Sequence, residues 1–144
     1  MNKILSICIV SLLICESFGL SLGREQSSGT KGILTCNGKP LAGVRVKLFD
    51  DDRGIDSDDL LDDSKTNEKG EFNLSGSTSE ITTIDPKINI YHDCEDGIRP
   101  CQRKMTIFIP DSYVSSGPHP KKIYDAGTIE LSGKFPGEER DCLH

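Results

Sequence analysis

From residue 31 onward the sequence is written in steps of two. Val44, Val46 and Leu48 alternate with Arg45 and Lys47, and Phe72 and Leu74 alternate with Glu71, Asn73 and Ser75. Ile88, Ile90 and His92 alternate with Asn89, Tyr91 and Asp93; Met105, Ile107 and Ile109 alternate with Lys104, Thr106 and Phe108. Successive side chains of a strand point to opposite faces, so this pattern marks strands with one buried side. Turn chemistry falls between the runs: Asn37-Gly38, Lys39-Pro40, Asn67-Glu68-Lys69-Gly70, Asp85-Pro86, Pro110 and the Pro-rich stretch up to Pro120. The turn around Gly70 is expected to set the register of its hairpin. Ile33 and Leu34, a weaker run from Leu60 to Thr66, and a last run bring the number of short strands to seven. In the last run Ile123, Gly127, Ile129 and Leu131 are expected to face inward, Thr128 and Glu130 outward. No ten-residue run has helical periodicity, and only Asp111 to Ser115 suits a turn of helix. The expected fold is all-β, a sandwich of two antiparallel sheets. The chain has no Trp and so lacks the Cys-Trp-Cys core of an immunoglobulin domain.

The first residues read as a targeting segment. Lys3 precedes an apolar run, Ile4 to Cys15, that Glu16 ends at once. The run has the length of a signal-peptide core and is too short to span a bilayer. Ser17 and Gly19 suit the −3 and −1 positions of a cleavage site, with Ser21 and Gly23 the second choice. The expected organisation is a signal peptide at 1–19, a mobile Gly/Ser-rich leader at 20–30 and one domain at 31–142. Lys3 and Glu16 leave together, so the mature charge stays at 16 − 22 = −6, and without a basic block a nucleic-acid role is excluded.

Cysteine usage agrees with export. Cys36, Cys94, Cys101 and Cys142 remain after cleavage, an even number that reads as two disulfides. Of the three pairings, Cys94–Cys101 and Cys36–Cys142 are expected, because Asp96-Gly97 gives a turn between the first two. Zinc is disfavoured by the lack of a Cys-x-x-Cys and the presence of only three histidines.

Three further features bear on binding. Eight aspartates crowd into residues 50–63, and Asp50, Asp52, Asp56 and Asp58 form a weak calcium candidate without EF-hand spacing. The bland reading is a solvated loop that blunts a sheet edge. Asn73-Leu74-Ser75 is an N-glycosylation sequon whose Asn faces outward by the strand alternation. Arg45, Lys47, Arg99, Arg103, Lys104, Lys121 and Lys122 are the basic residues that could hold anionic groups if several share one face, against the plain reading of balanced surface charge. The histidines His92, His119 and His144 are scattered over a strand, a loop and the terminus, and no nucleophile elbow, phosphate loop or Cys-His pair appears. Neither catalysis nor a cofactor is expected.

Several stretches together carry a resemblance: GILTCNGKPLAGVRVKLFDDD, LLDDSKTNEKGEFNLSGSTSE, IDPKINIYHDCEDGIRPCQRKMTIFIPDSYV and KKIYDAGTIELSGKFPGEERDC. The combination of HDC-x6-C, IPDSYV and PGEERDC resembles the nematode transthyretin-like family of secreted proteins. The first half alone, two hairpins with Gly-Lys-Pro and a Thr-x-x-x-Gly-x-Phe turn, speaks to fold more than function. The resemblance implies an open transthyretin-like sandwich exported into extracellular fluid and no common ligand; the expected partner is a cell-surface receptor, another extracellular protein or a lipid. It also implies a narrower reading, a bridge from phosphatidylserine on dying cells to an engulfment receptor. A carrier of a small hydrophobic hormone or fatty acid is a further reading, and it requires a cavity. The hydroxyisourate hydrolases share this type of sandwich but end in Tyr-Arg-Gly-Ser; this chain ends Glu139-Arg140-Asp141-Cys142-Leu143-His144.

Overall fold

The computed structural model describes residues 23–52 and 57–144. The expected signal peptide at 1–19 lies outside them. Ten strands form two five-stranded sheets: β1 (Arg24–Cys36), β2 (Lys39–Pro40), β3 (Arg45–Asp50), β4 (Asp59–Lys65), β5 (Glu71–Glu80), β6 (Pro86–His92), β7 (Gln102–Phe108), β8 (Ser115–Ser116), β9 (Tyr124–Glu130) and β10 (Glu139–Asp141). The one helical turn among the described residues, a 3-10 turn at Asp111–Tyr113, falls where the sequence allowed it.

β1 organises the first sheet. It pairs antiparallel with β5 from Arg24 to Ile33. Its other edge takes β8 antiparallel at Gln26 and Ser27, then β9 parallel from Thr30 to Thr35. That parallel pair departs from a purely antiparallel sandwich. The second sheet runs β10–β7–β6–β3–β4 and is antiparallel throughout. Leu34, Phe72 and Leu74 from the first sheet meet Val46, Leu48, Ile88, Ile90 and Met105 from the second, all buried, with Leu131 closing one end. Burial of such side chains removes apolar area from water at roughly 25 cal/mol per Å². The alternation in β3, β5, β6 and β7 therefore points the way the sequence indicated.

The leader expected at 20–30 is corrected from Arg24 onward, where β1 starts; residues 20–22 lie outside the described residues. Ser27, Ser28 and Thr30 are fully buried although no apolar pattern announces them. Ser27 and Thr30 are paired on both edges and Ser28 lies between them, paired with β5, and Gln26 anchors the neighbouring 80–84 turn: its amide nitrogen donates to Thr82 O at 2.8 Å and its oxygen accepts from Ile84 N. The last strand is corrected too. A bulge at Gly127, whose φ is +71°, shifts the register between Lys31 and Ile33. Tyr124 and Ala126 face the core before the bulge and Ile129 after it. Ile123 and Gly127 do not; Ile123 instead covers Gly29 on the outside of the sheet, with Pro120.

The disulfides join Cys36 to Cys94 and Cys101 to Cys142, not the expected pairs. The reason is strand placement. Cys94 is buried at the end of β6, facing Cys36 at the end of β1, so this bond ties one sheet to the other. β10 pairs with β7 through Asp141 and Gln102, and one step further along that ladder Cys142 meets Cys101.

Candidate functional site

The seven basic residues do not form one patch. Arg45 and Lys47 project from the outer face of β3, and Lys104 from the same face of β7, with β6 between them. Tyr91 of β6 stands opposite both Arg45 and Lys104 in the ladders, at the centre of the group. Its ring is pinned from two sides. The His144 imidazole stacks on it at 4.2 Å with 14° between planes, and Lys47 Nζ lies 5.6 Å from its centroid. Thr106 donates to Asn89, and Asn89 donates to the Tyr91 hydroxyl, which holds the face between the cations.

Two of the three cations have nearby acids. Arg45 Nε is 3.4 Å from Asp63, and Lys104 Nζ is 3.4 Å from Glu139 and 3.7 Å from Asp141. These contacts are long and partly exposed, and such pairs are worth about 0–1 kcal/mol. Lys47 has only the tyrosine ring as partner among the described residues.

The other four go elsewhere. Arg103 is a correction: it is 5 % exposed, on the inner side of β7, and builds structure. It pairs with Glu138 through two nitrogens and donates to the carbonyls of Cys94, Leu131 and Gly133. The hydrogen bond from Arg103 holds the Glu138 carboxyl below its ordinary range, and the same contact raises Arg103. The alternation places residue 103 beside Met105, which was the available signal of burial. Arg99 is exposed on the loop between β6 and β7. Lys121 and Lys122 are exposed in the segment leading into β9, on the other sheet.

That loop, residues 93–101, is held at its base. Both its cysteines are tied to other elements, and Asp96 accepts from both terminal nitrogens of Arg140. Ile98 at its tip is fully exposed.

The acidic loop is rearranged relative to the calcium candidate. Carboxylate oxygens of Asp50, Asp52, Asp59 and Glu80 all lie within 4.8 Å of one another. Asp56 lies outside the described residues. Asp58 turns instead to Lys87, 2.7 Å away, which also reaches Asp51 at 2.8 Å. Glu80 arrives from β5, and its part could not be read from spacing within the loop. Asp50 is 3 % exposed and accepts from Asp85 N. Burial raises its pKa, and the charges of Asp52, Asp59 and Asp85 add to the rise. Glu80 is raised by its hydrogen bond with Asp59. Four carboxylates supply part of the six to eight oxygens that calcium takes.

The histidines stay apart. His92 is 1 % exposed, as its parity with Ile88 and Ile90 implied, and its Nδ1 accepts from Cys94 N. His119 is exposed in its loop, and His144 stacks on Tyr91. Asn73 faces solvent on β5.

The comparisons with known proteins agree with the architecture. A family model described as the transthyretin-like family matches residues 31–110. Transthyretin-like protein 5 of Caenorhabditis elegans is 59 % identical over 140 residues, covering 97 % of this chain and all of the relative. Transthyretin-like protein 33 of the same organism is 54 % identical, covering 95 % of this chain and 96 % of the relative. Transthyretin-like protein 2 is 53 % identical over 85 % of this chain and 86 % of its own length. A 9R-lipoxygenase crystal structure from Cyanothece aligns with a TM-score of 0.41 at 18 % identity, over 74 % of this chain and 16 % of that one, a likeness too slight to bear on fold or activity.

Proposed function

The chain belongs to the transthyretin-like family, and we propose that it is an exported, non-catalytic binding protein that holds an anionic extracellular partner on the outer face of its β10–β7–β6–β3–β4 sheet. The observation that carries this reading is the grouping of Arg45, Lys47 and Lys104 around Tyr91 on three adjacent strands. Their counter-ions are loosely held. A rigid sheet face presents such a constellation with little ordering entropy to supply on binding. The space between the sheets, by contrast, is filled by buried side chains, which disfavours an apolar cargo there. Among the described residues no helix is long and apolar enough to cross a membrane.

Phosphatidylserine vesicles are the first anionic probe. The protein is expected to sediment with them and not with phosphatidylcholine vesicles, and added salt is expected to weaken the association. The double variant Lys47→Gln/Lys104→Gln, which removes the two charges without setting a new carboxylate beside Glu139 and Asp141, is expected to lose most of the binding while keeping its thermal midpoint. Equal binding by that variant and the unaltered protein sinks the assignment of the face. Indifference to phosphatidylserine at low salt removes the membrane source and turns the search to acidic proteins and glycans.

A further inference from the structure

We propose that Asn73 carries an N-linked glycan whose first sugar lies in the open groove beside it, closing the outer face of the β1–β5–β9 side of the sandwich. The inference rests on the export reading above, because only the secretory pathway supplies the sugar donor. Among the five asparagines of the chain, Asn73 alone begins an Asn-x-Ser/Thr sequence with x other than Pro.

The fold leaves this sequon usable. In β5 the order of burial is Glu71 out, Phe72 in, Asn73 out, Leu74 in, Ser75 out. The acceptor amide and the Ser75 side chain therefore share the solvent face while Phe72 and Leu74 fill the core. Asn73 makes no side-chain hydrogen bond among the described residues, so attachment breaks no contact. Its ladder neighbour is Lys31, and Lys31 in turn stands opposite Asp125 of β9.

An open groove of about 510 Å³ adjoins the amide, lined by Lys31, Ile33, Lys65, Asn67, Asp125 and Phe72. Ile33, 37 % exposed, offers an aliphatic surface, and Lys31, Asn67 and Asp125 offer polar groups around it. A pyranose ring has the same division, apolar C–H bonds on its faces and hydroxyls at its edge.

The covalent step balances with a polyprenyl-diphosphate-linked oligosaccharide as co-reactant. The Asn73 amide nitrogen bonds to C1 of N-acetylglucosamine and loses a proton. The C1–O bond to the carrier breaks, and the diphosphate leaves with that electron pair. The consequence for the whole molecule is a division of faces. The glycan screens one sheet, and contact with partners falls to the Arg45–Lys47–Lys104 face of the other.

The test is expression of the full chain in insect or mammalian cells, once with its own N-terminus and once with a proven foreign signal peptide replacing residues 1–19. Protein from the medium is expected to shift in mobility by one glycan on treatment with peptide:N-glycosidase F. Mass spectrometry is expected to find Asn73 converted to Asp. Asn73→Gln and Ser75→Ala, both at exposed positions, are each expected to abolish the shift. Amine labelling is expected to modify Lys31 several-fold more slowly before glycan removal than after. An unmodified Asn73 under both leaders overturns the site. Modification under the foreign leader alone overturns the export reading, and with it the modification in the native protein. Equal labelling of Lys31 in the two forms overturns the seating in the groove.

Discussion

At the scale of single residues, the end of the sandwich beneath the β6–β7 loop decides the most. Arg103 is buried and satisfies Glu138 together with three carbonyls of different segments. Replacing it by Met leaves Glu138 charged beside the core with no cation. Breaking a buried pair in this way costs about 3–5 kcal/mol, so Arg103→Met is expected to lower the urea midpoint steeply at neutral pH. Changing both partners, as Arg103→Met with Glu138→Leu, is expected to restore part of the loss. His92 lies against the same group. Burial lowers its pKa and the Arg103 charge lowers it further, while Glu138 from the 131–138 segment and Asp93 and Asp96 from its own loop oppose them. A base lowered in the fold binds its proton more readily when unfolded. Stability is therefore full above the ordinary histidine value of 6.5 and falls as pH drops below it. His92→Gln is expected to flatten the decline in the denaturation midpoint below that pH. An unchanged slope means that other groups set it.

At the scale of elements, the two disulfides and one close approach between sheets set what each strand tolerates. On the chain-entropy model, loops of 58 and 41 residues are each worth roughly 4 kcal/mol. Replacing Cys101 and Cys142 together by Ala is expected to cost a comparable amount and to free β10 first, since β10 has three residues and one neighbouring strand. Hydrogen exchange at Arg140 and Asp141 reads that release; protection equal to the unaltered protein contradicts it. Across the open side of the sandwich, a Cβ on Gly76 of β5 would lie 2.4 Å from the carbonyl oxygen of Leu61 in β4. Gly76→Val is expected to push the strands apart at about 1–3 kcal/mol. The difference between legible and illegible elements is physical. β3, β5 and β7 are half-buried strands with apolar partners on one side, so their sequences alternate; β6, central in its sheet, buries Asn89 and Tyr91 on its outer face as well, and its alternation is one of apolar against polar or aromatic side chains. The first half of β1 is buried between neighbours on both edges and carries Gln26, Ser27, Ser28 and Thr30, so it reads as a polar leader. β10 consists of Glu139, Arg140 and Asp141 and is a strand only because β7 receives it. Without β10 in view, the pairing of Cys142 with Cys101 had no visible cause. The basic face was legible in Arg45, Lys47 and Lys104, which alternate outward, whereas Glu80 joins the acidic group only through the packing of β5 against β4.

At the scale of the whole molecule, a charge of −6 is unevenly stored. One set of acids is engaged with donors. Glu130 accepts from the backbone of Gly38, Asn37 and Ser132 and is lowered to about 2. Asp58 is drawn down by Lys87 against the effect of its burial, and Glu138 by Arg103. Such groups stabilise the fold above their unfolded values and lose that contribution as pH falls through the folded ones. The second set is crowded. Asp50 and Glu80 are raised, so their charged forms are disfavoured in the fold, and this part of the molecule loses stability as pH rises through their folded values. Asp52 and Asp59 both add charge beside Asp50 and Glu80, and Asp59 is in addition hydrogen-bonded to Glu80. Asp59→Asn removes one charge and keeps a hydrogen-bonding side chain. With chelator present at neutral pH it is expected to raise stability by about 1 kcal/mol, a few degrees in thermal midpoint for a domain of this size. The gain is expected to shrink in high salt, which screens the repulsion. It is also expected to vanish at a pH low enough to protonate the cluster. A loss of stability in the same buffer would mean that the four carboxylates are held together by hydrogen bonds stronger than their repulsion, and that the acidic corner supports the β4–β5 side of the sandwich instead of straining it.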